Sequence, residues 1–439
     1  MKIVLKPLGN LEDVTQDLAG NRRKLYEYLK EAESAVEEII ENVKDRGDAA
    51  LREYTERFDG CRLTTFRVPP EELERAFRET PEELKAAIAL AARNIRSFHE
   101  TQKMTSFLLE RQSSVLGELV RPLRRVACYI PGGRFAYPSS CLMTVIPAQI
   151  AGVQEIALLT PPKKDGNVHK EVLAAAFFLG VQEVYRIGGA QAIAAACFGT
   201  ESIPPVEKIV GPGNIYVTAA KKRLQGIVGI DGLAGPSEVA IIADHSAPPE
   251  WVALDLLAQA EHDPLATSVL FSPSEALLFE VKKYLEQEIA NAPSSFGQTQ
   301  PLFLYQVEDL EVALAAVNLL APEHVEVVTK DPLALLPRLQ KGGAIFLGPH
   351  APVALGDYGY GPNHVLPTWG TAVFSSPLSV RDFYTFSSFV FPSPPDPTLE
   401  YETYAYLARE EGLFFHQRSL LARAGKKLLT DIERGWERT

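Results

Sequence analysis

Between residues 121 and 347 the chain repeatedly sets a short, nearly unbroken apolar run against an alanine-rich or amphipathic stretch, and this alternation constrains the fold more than any other feature. Residues 126–130, 155–159, 184–187 and 209–210 read as strands, with helices over 141–150, 170–178 and 191–197 between them. Strands without polar alternation are covered on both faces, and joining them by helices leads to a parallel sheet built by right-handed crossovers. The rhythm resumes after Gly235, with strands over 238–243, 268–271, 325–328 and 344–347 and helices over 249–261, 275–291 and 310–320. The expected class is α/β with two lobes, residues 119–235 forming the first and 236–380 the second. Residues 1–118 read as a helical segment packing on the lobes, because apolar residues such as Leu29, Val36, Ile39, Ile40 and Val43 recur at helical spacing. In residues 381–439 the proline-rich stretch 392–397 reads as a stiff spacer before a helical tail from residue 399, able to reach a neighbouring subunit.

Composition narrows the function classes. The 439 residues are 46% hydrophobic and 23% charged, as in ordinary globular proteins. A formal net charge of -12 argues against a surface that tracks phosphates, so nucleic acid is not an expected partner. Cys61, Cys128, Cys141 and Cys197 are too sparse and too irregularly spaced for a disulfide framework or a CxxC zinc site, and read as reduced thiols. No window reaches the ~18 apolar residues of a membrane span, which makes the cytoplasm the expected location and excludes a membrane partner. His99 reads as a solvated residue on a polar helix, and His169, His245 and His350 as structural.

In open α/β sheets, ligands bind beyond the carboxyl ends of strands, where helix amino termini and backbone N–H groups hold anions. Three glycine turns fall there: Ile130-Pro131-Gly132-Gly133, Ile187-Gly188-Gly189-Ala190-Gln191 and Val210-Gly211-Pro212-Gly213-Asn214. None is a G-x-G-x-x-G, since Tyr216 stands where the third glycine would be. One such turn is only a tight turn. Three in one lobe, accompanied by Tyr129, Gln191 and Asn214, suggest a nucleotide cradle of non-standard design.

The second lobe carries the chemistry-bearing side chains. Gln259 and His262 share a helix face at i, i+3 spacing, and Glu323-His324 lies between a helix and a strand, where an extended chain would let both line one pocket as general bases. Asp357 and His364 lie in a glycine-rich loop, and Glu411 and His416 in the tail. Histidine and aspartate suit a borderline divalent ion such as Zn²⁺. With neither H-E-x-x-H nor H-x-H present, these residues alone leave open a dispersed metal site or hydrogen-bonded histidines near loops. Cys141 follows Ser139-Ser140 and reads as a small buried hydrophobe rather than an activated thiol.

Taken together the motifs resemble one family. Tyr129-Ile130-Pro131-Gly132-Gly133, Gly188-Gly189-Ala190-Gln191-Ala192-Ile193-Ala194, Lys208-Ile209-Val210-Gly211-Pro212-Gly213-Asn214-Ile215-Tyr216-Val217, Ala234-Gly235-Pro236-Ser237-Glu238-Val239, Gln259-Ala260-Glu261-His262, Ala321-Pro322-Glu323-His324, Gly361-Pro362-Asn363-His364-Val365-Leu366-Pro367-Thr368 and Ser376-Pro377-Leu378-Ser379-Val380 resemble histidinol dehydrogenases, in family order. The resemblance implies two incomplete Rossmann-like lobes resembling the aldehyde dehydrogenase fold, with an N-terminal helical segment and a C-terminal helical tail. It implies oxidation of L-histidinol to L-histidine through the aldehyde in two NAD⁺-dependent steps, the last reaction of histidine biosynthesis. It further implies a zinc-dependent homodimer. By motif, Gln259, His262 and Asp357 resemble the zinc ligands of one subunit, and His416 the ligand from the other subunit's tail. Glu323 and His324 match the catalytic pair, as water activator and general base. Ser237, His364 and Glu411 match substrate contacts, as do the metal-binding positions and His324, while Tyr129, Gln191 and Asn214 match the NAD⁺ site.

The chain departs from the family pattern at Phe414 and Phe415, where small residues are expected, at Cys141, where an aliphatic residue is usual, and at Val373, where arginine is common. Three rivals remain on the residues alone: an aldehyde dehydrogenase with a thiol nucleophile among Cys128, Cys141 and Cys197, a zinc hydrolase using Glu323, and a two-lobed protein that binds a small amine without turnover.

Overall fold

The computed structural model describes residues 2–111, 114–132, 136–293, 301–392 and 400–425. Gly133 and the proline-rich stretch beyond Pro392 lie outside the described residues. The chain divides into two units, Met1–Lys103 with Pro122–Tyr384, and Met104–Arg121 with Thr385–Thr439. The strands, in chain order, are β1 (Ile3–Pro7), β2 (Phe107–Arg111), β3 (Ser114–Pro122), β4 (Arg125–Tyr129), β5 (Glu155–Thr160), β6 (Glu183–Arg186), β7 (Lys208–Val210), β8 (Gly229–Ile230), β9 (Glu238–Ala243), β10 (Thr267–Ser272), β11 (Leu302–Gln306), β12 (His324–Val328), β13 (Ala344–Leu347) and β14 (Tyr384–Pro392).

The first unit holds two parallel sheets, one ordered β6-β5-β4-β7-β8 and one ordered β1-β11-β10-β9-β12-β13. In the first, β4 is flanked by β5 and β6 on one side and by β7 and β8 on the other; in the second, β9 is flanked by β10 and β11 on one side and by β12 and β13 on the other, with β1 added outside β11. The order therefore reverses between β4 and β7 in one sheet and between β9 and β12 in the other. Successive side chains of β4 point to opposite faces, as the pleat requires. Val126 and Cys128 join a core with the helices Pro138–Ala151 and Glu82–Glu100, while Ala127 and Tyr129 join one with the helices Leu11–Arg46 and Gly189–Phe198. Both faces are thus buried, which explains the unbroken apolar text of these strands. In the second sheet Ala240 and Ile242 face one core and Val239 and Ile241 the other.

The N-terminal region is mostly helical, and its first helix is started by a reciprocal cap between Asn10 and Asp13. It also contains a strand unforeseen from sequence, since β1 pairs in parallel with β11 at the edge of the second sheet. His99 departs from expectation altogether. It is fully buried, its Nδ1 lies 2.6 Å from Gln102 Oε1, and its Nε2 is 3.4 Å from Asn363 Nδ2. The helix face that looked solvated is covered by the loop carrying Asn363, and burial pushes the imidazole's pKa down.

The second unit contains the antiparallel sheet β14-β3-β2 and the helices Tyr401–Glu410 and Phe414–Arg423. Gly117 of β3 is required there, because a Cβ would lie 2.5 Å from the Phe107 carbonyl oxygen and 2.6 Å from the Phe389 ring. Phe107, Leu108, Val390, Phe391, Tyr406 and Phe415 are all exposed on this unit. No helix among the described residues is long and apolar enough to cross a membrane.

Candidate active site

The first sheet contributes its carboxyl ends. Where β4 and β7 part, Gly211 takes φ +108, and a Cβ on it would stand 2.2 Å from the Tyr129 carbonyl oxygen, so no other residue fits this close approach. A buried ion pair pins the turn. Lys221 Nζ donates to the Gly211 carbonyl at 2.6 Å and reaches Asp231 Oδ1 at 2.7 Å, while Gly211 N–H donates to Asp231 Oδ2 at 2.6 Å. Asn214 caps the helix Ile215–Leu224, its Oδ1 accepting from the N–H groups of Tyr216 and Val217 at 3.1 Å each. Beside this turn, Gly189 N–H donates to the Tyr129 hydroxyl at 3.1 Å, and burial pushes the Tyr129 phenol up to about 12. Gln191 is fully buried in the helix Gly189–Phe198, and its Oε1 has no hydrogen-bond partner.

The second sheet contributes its amino ends, where Glu323-His324 stands between a helix and a strand as the sequence placed it. The helix Leu310–Leu320 stops at Ala321, whose φ of +47 is a left-handed conformation that a non-glycine residue rarely adopts. Pro322 follows, and the chain enters β12 extended, so that Glu323 and His324 are both free of the helix. Glu323 Oε2 accepts the Glu238 N–H at 3.1 Å and lies 3.6 Å from His324 Nδ1, which is 3.2 Å from the Glu238 carbonyl oxygen. Both side chains are buried. Burial drives the Glu323 carboxyl well above the usual carboxylate range, with Glu238 and Asp357 adding to the rise, while hydrogen bonds from Glu238 N–H and Ser237 oppose it. Burial lowers the His324 imidazole to about 4, against the opposing pull of Asp357. At neutral pH His324 is therefore uncharged, with Nδ1–H donating to the Glu238 carbonyl and Nε2 left as the basic nitrogen.

Around this pair stand four further polar residues. The helix Pro249–Ala260 buries Gln259 to 2% exposure with Oε1 unpartnered, and the turn after it sets His262 Nδ1 2.9 Å from the Ala258 carbonyl oxygen. The short helix Val353–Asp357 ends in Asp357, and Gly356 before it abuts Phe346, whose ring also flanks His324 at 6.0 Å between centroids. His364 Nδ1 is 3.0 Å from the Asp357 carbonyl oxygen, and its Nε2 is 3.3 Å from Ser140 Oγ at the start of the helix Pro138–Ala151. Burial lowers the His364 pKa.

Ser237, Gln259, His262, Glu323, His324, Asp357 and His364 line one cavity of about 610 Å³, together with Asn214 and the Pro212-Gly213 turn. Tyr129 and Gln191 are buried and do not line this cavity. Glu411 and His416 lie in the second unit and are exposed. Among the described residues, no three His, Cys, Asp or Glu side chains gather closely enough to hold a metal. The set formed by this chain is two such residues, His262 and Asp357, with the orphaned amide oxygen of Gln259. A buried polar atom without a partner is rare, and the mixed nitrogen and oxygen donors fit a borderline cation. Sequence reasoning missed Lys221, Asp231, Ser140 and Phe346. Only Ser140, at a helix start beside a turn, carried a local signal.

A family model described as histidinol dehydrogenase matches residues 22–424. The histidinol dehydrogenase of Geobacillus kaustophilus (strain HTA426) is 48% identical over 410 residues, covering 92% of this chain and 97% of that protein. The crystal structure of histidinol dehydrogenase from Elizabethkingia anophelis aligns with a TM-score of 0.87 at 34% identity, covering 97% of this chain and 98% of that one. An acetylating aldehyde dehydrogenase from Geobacillus thermoglucosidasius shares the fold at a TM-score of 0.50 and 16% identity, covering 89% of this chain and 100% of that one.

Proposed function

The chain belongs to the histidinol dehydrogenase family, and from that premise we propose that it oxidises L-histidinol to L-histidine through the aldehyde, in two NAD⁺-dependent steps that close histidine biosynthesis. The convergence of Glu323, His324, Gln259, His262, Asp357 and His364 on one cavity opposite the Gly211–Asn214 turn carries this reading. Lobe 119–235 is assigned the dinucleotide, through Tyr129, Gln191 and Asn214, and lobe 236–380 the chemistry.

His324 Nε2 takes the proton of the substrate hydroxyl in each oxidation, and its low proton affinity keeps it in the accepting form at neutral pH. Glu323, withdrawn from water and therefore more basic than an exposed carboxylate, takes a proton from the water that hydrates the aldehyde. NAD⁺ supplies the hydride acceptor. His364, Ser237 and, from the partner's tail, Glu411 orient the substrate. Gln259, His262 and Asp357 would hold a zinc ion, which would supply a positive centre for binding and orienting the substrate. This reading is supported by His262, whose Nδ1 lies 2.9 Å from the Ala258 carbonyl oxygen and so leaves Nε2 to serve as a ligand atom.

One chain leaves this shell short of a ligand, and His416 from the tail of a second copy is assigned to complete it. The exposed Phe107, Leu108, Val390, Phe391 and Phe415 of the second unit support a homodimer that covers them. All four cysteines are free and buried, in keeping with a reducing, cytoplasmic setting.

The test is an end-point assay with excess NAD⁺ and limiting L-histidinol, run before chelation, after it, and after zinc is returned. Two NADH per histidinol, lost on chelation and restored by zinc, is the expected result. One NADH would mean that the aldehyde escapes and that Glu323 is misassigned. No NADH would return the hydrolase and the binding protein to contention.

A further inference from the structure

Two acidic residues take no part in the chemistry above, yet they face one another inside the second lobe. Glu326, the third residue of β12, is 1% exposed, and its Oε1 accepts the Val353 N–H at 2.7 Å. Its Oε2 is buried and meets no N–H or O–H donor. The group within hydrogen-bonding reach is the Asp255 carboxyl, from the helix Pro249–Ala260. Two carboxylates repel, so only a proton held between them makes this approach favourable. Burial raises the Asp255 carboxyl to about 6, and burial with the neighbouring Asp255 raises Glu326 well above the ordinary range, in keeping with a retained proton.

The elements joined by this pair are those that carry the site. Asp255 lies one helical turn before Gln259, on the same helix face. Glu326 lies two residues after His324, on the same face of β12. Val353 opens the short helix that ends in Asp357. We infer that Asp255 and Glu326 are positioning residues, which through one shared proton and the Val353 N–H lock a helix, a strand and a second helix so that Gln259, His324 and Asp357 converge on one cavity. The inference rests on the zinc site proposed above and extends it to a supporting layer that no local motif announces.

The experiment measures zinc retention by the full-length enzyme against a chelating dye, alongside its melting temperature and its KM and kcat for L-histidinol. Glu326→Ala leaves Asp255 and Val353 unpartnered, and its zinc affinity should fall by ~10–100-fold, as for loss of a group that orients a ligand. Glu326→Gln keeps an oxygen for Val353 and gains an N–H for Asp255, and should restore retention toward that of the parent. Asp255→Ala, which preserves the Val353 contact, is the milder variant and should lose zinc measurably should Glu326→Ala fail to fold. A folded Glu326→Ala or Asp255→Ala enzyme that melts earlier but holds zinc like the parent would mean the pair is only structural, and the inference is overturned. It is overturned equally if Glu326→Gln loses zinc as badly as Glu326→Ala. His262→Ala is the control for the underlying reading: if it too holds zinc like the parent, the metal site itself is misplaced and the inference falls with it.

Discussion

The two parallel sheets of the first unit wind by the same rule yet serve the cavity from opposite ends. The first offers the carboxyl ends of β4 and β7, where helices begin, at Asn214 and at Pro138. The second offers the amino ends of β9 and β12, where helices finish, at Gln259 and at Asp357. A helix start carries roughly half a positive charge and a helix end roughly half a negative one. One wall therefore favours anions such as a pyrophosphate and the other favours cations, before any ionised side chain is counted. The walls also differ in what they are made of. The first is shaped backbone, held by glycines and a buried Lys221–Asp231 pair, whereas the second is a set of side chains aimed inward.

That difference predicts how substitutions should sort. The largest effect belongs to the second wall, where His324→Ala should slow both oxidations by ~10²–10⁴-fold in steady-state NADH formation. Glu323→Ala should spare the first oxidation more than the second, and equal slowing of the two would break the division of labour between the pair. Lys221→Met comes next, because it leaves Asp231 buried without its partner and should reduce unfolding free energy in urea by ~3–5 kcal/mol. A variant as stable as the parent would show that the first wall does not depend on its pin. Gly211→Ala should introduce ~1–3 kcal/mol of strain and raise KM for NAD⁺ while leaving KM for L-histidinol near the parent value. If both constants rise together, the walls are not separable. The smallest effect is expected for Cys141→Ala, which removes a buried thiol that burial has made harder to ionise, and turnover should be retained. Lost turnover there would revive the thiol-nucleophile rival.

The sequence made much of this legible. The strands β4 to β7, β9, β10, β12 and β13 stand where unbroken apolar runs predict them, because burial on both faces leaves no polar alternation to confuse the reading. β11 was missed although Leu302-Phe303-Leu304-Tyr305 is just such a run, and β1 was missed because five residues flanked by charge carry little signal. β14 joins β3 from far along the chain, and β2, β3 and β14 all leave much of their surface uncovered, so their pattern does not mark them as strands. At the site, the residues that carry donors were visible in their motifs. Their supports were not, since Ser140 meets His364, and Glu326 meets Asp255 and Val353, only once the chain has folded. His99 failed for the same reason, with a polar neighbourhood in sequence hiding a tertiary cover.

The pairing of β1 with β11 also has a consequence for the order of assembly during synthesis. Leu302, the partner of Ile3, is made about 300 residues after it, roughly 15–60 s later at bacterial-to-eukaryotic elongation rates. Throughout that interval the strand lacks the partner strand β11, whereas every strand of the first lobe's sheet has been made by residue 230. The first wall can thus begin to fold on a nascent chain while the sheet bearing His324 still lacks its edge. A pulse of protease on stalled chains should reveal this as a protected fragment ending near residue 230, well before β1 itself becomes resistant.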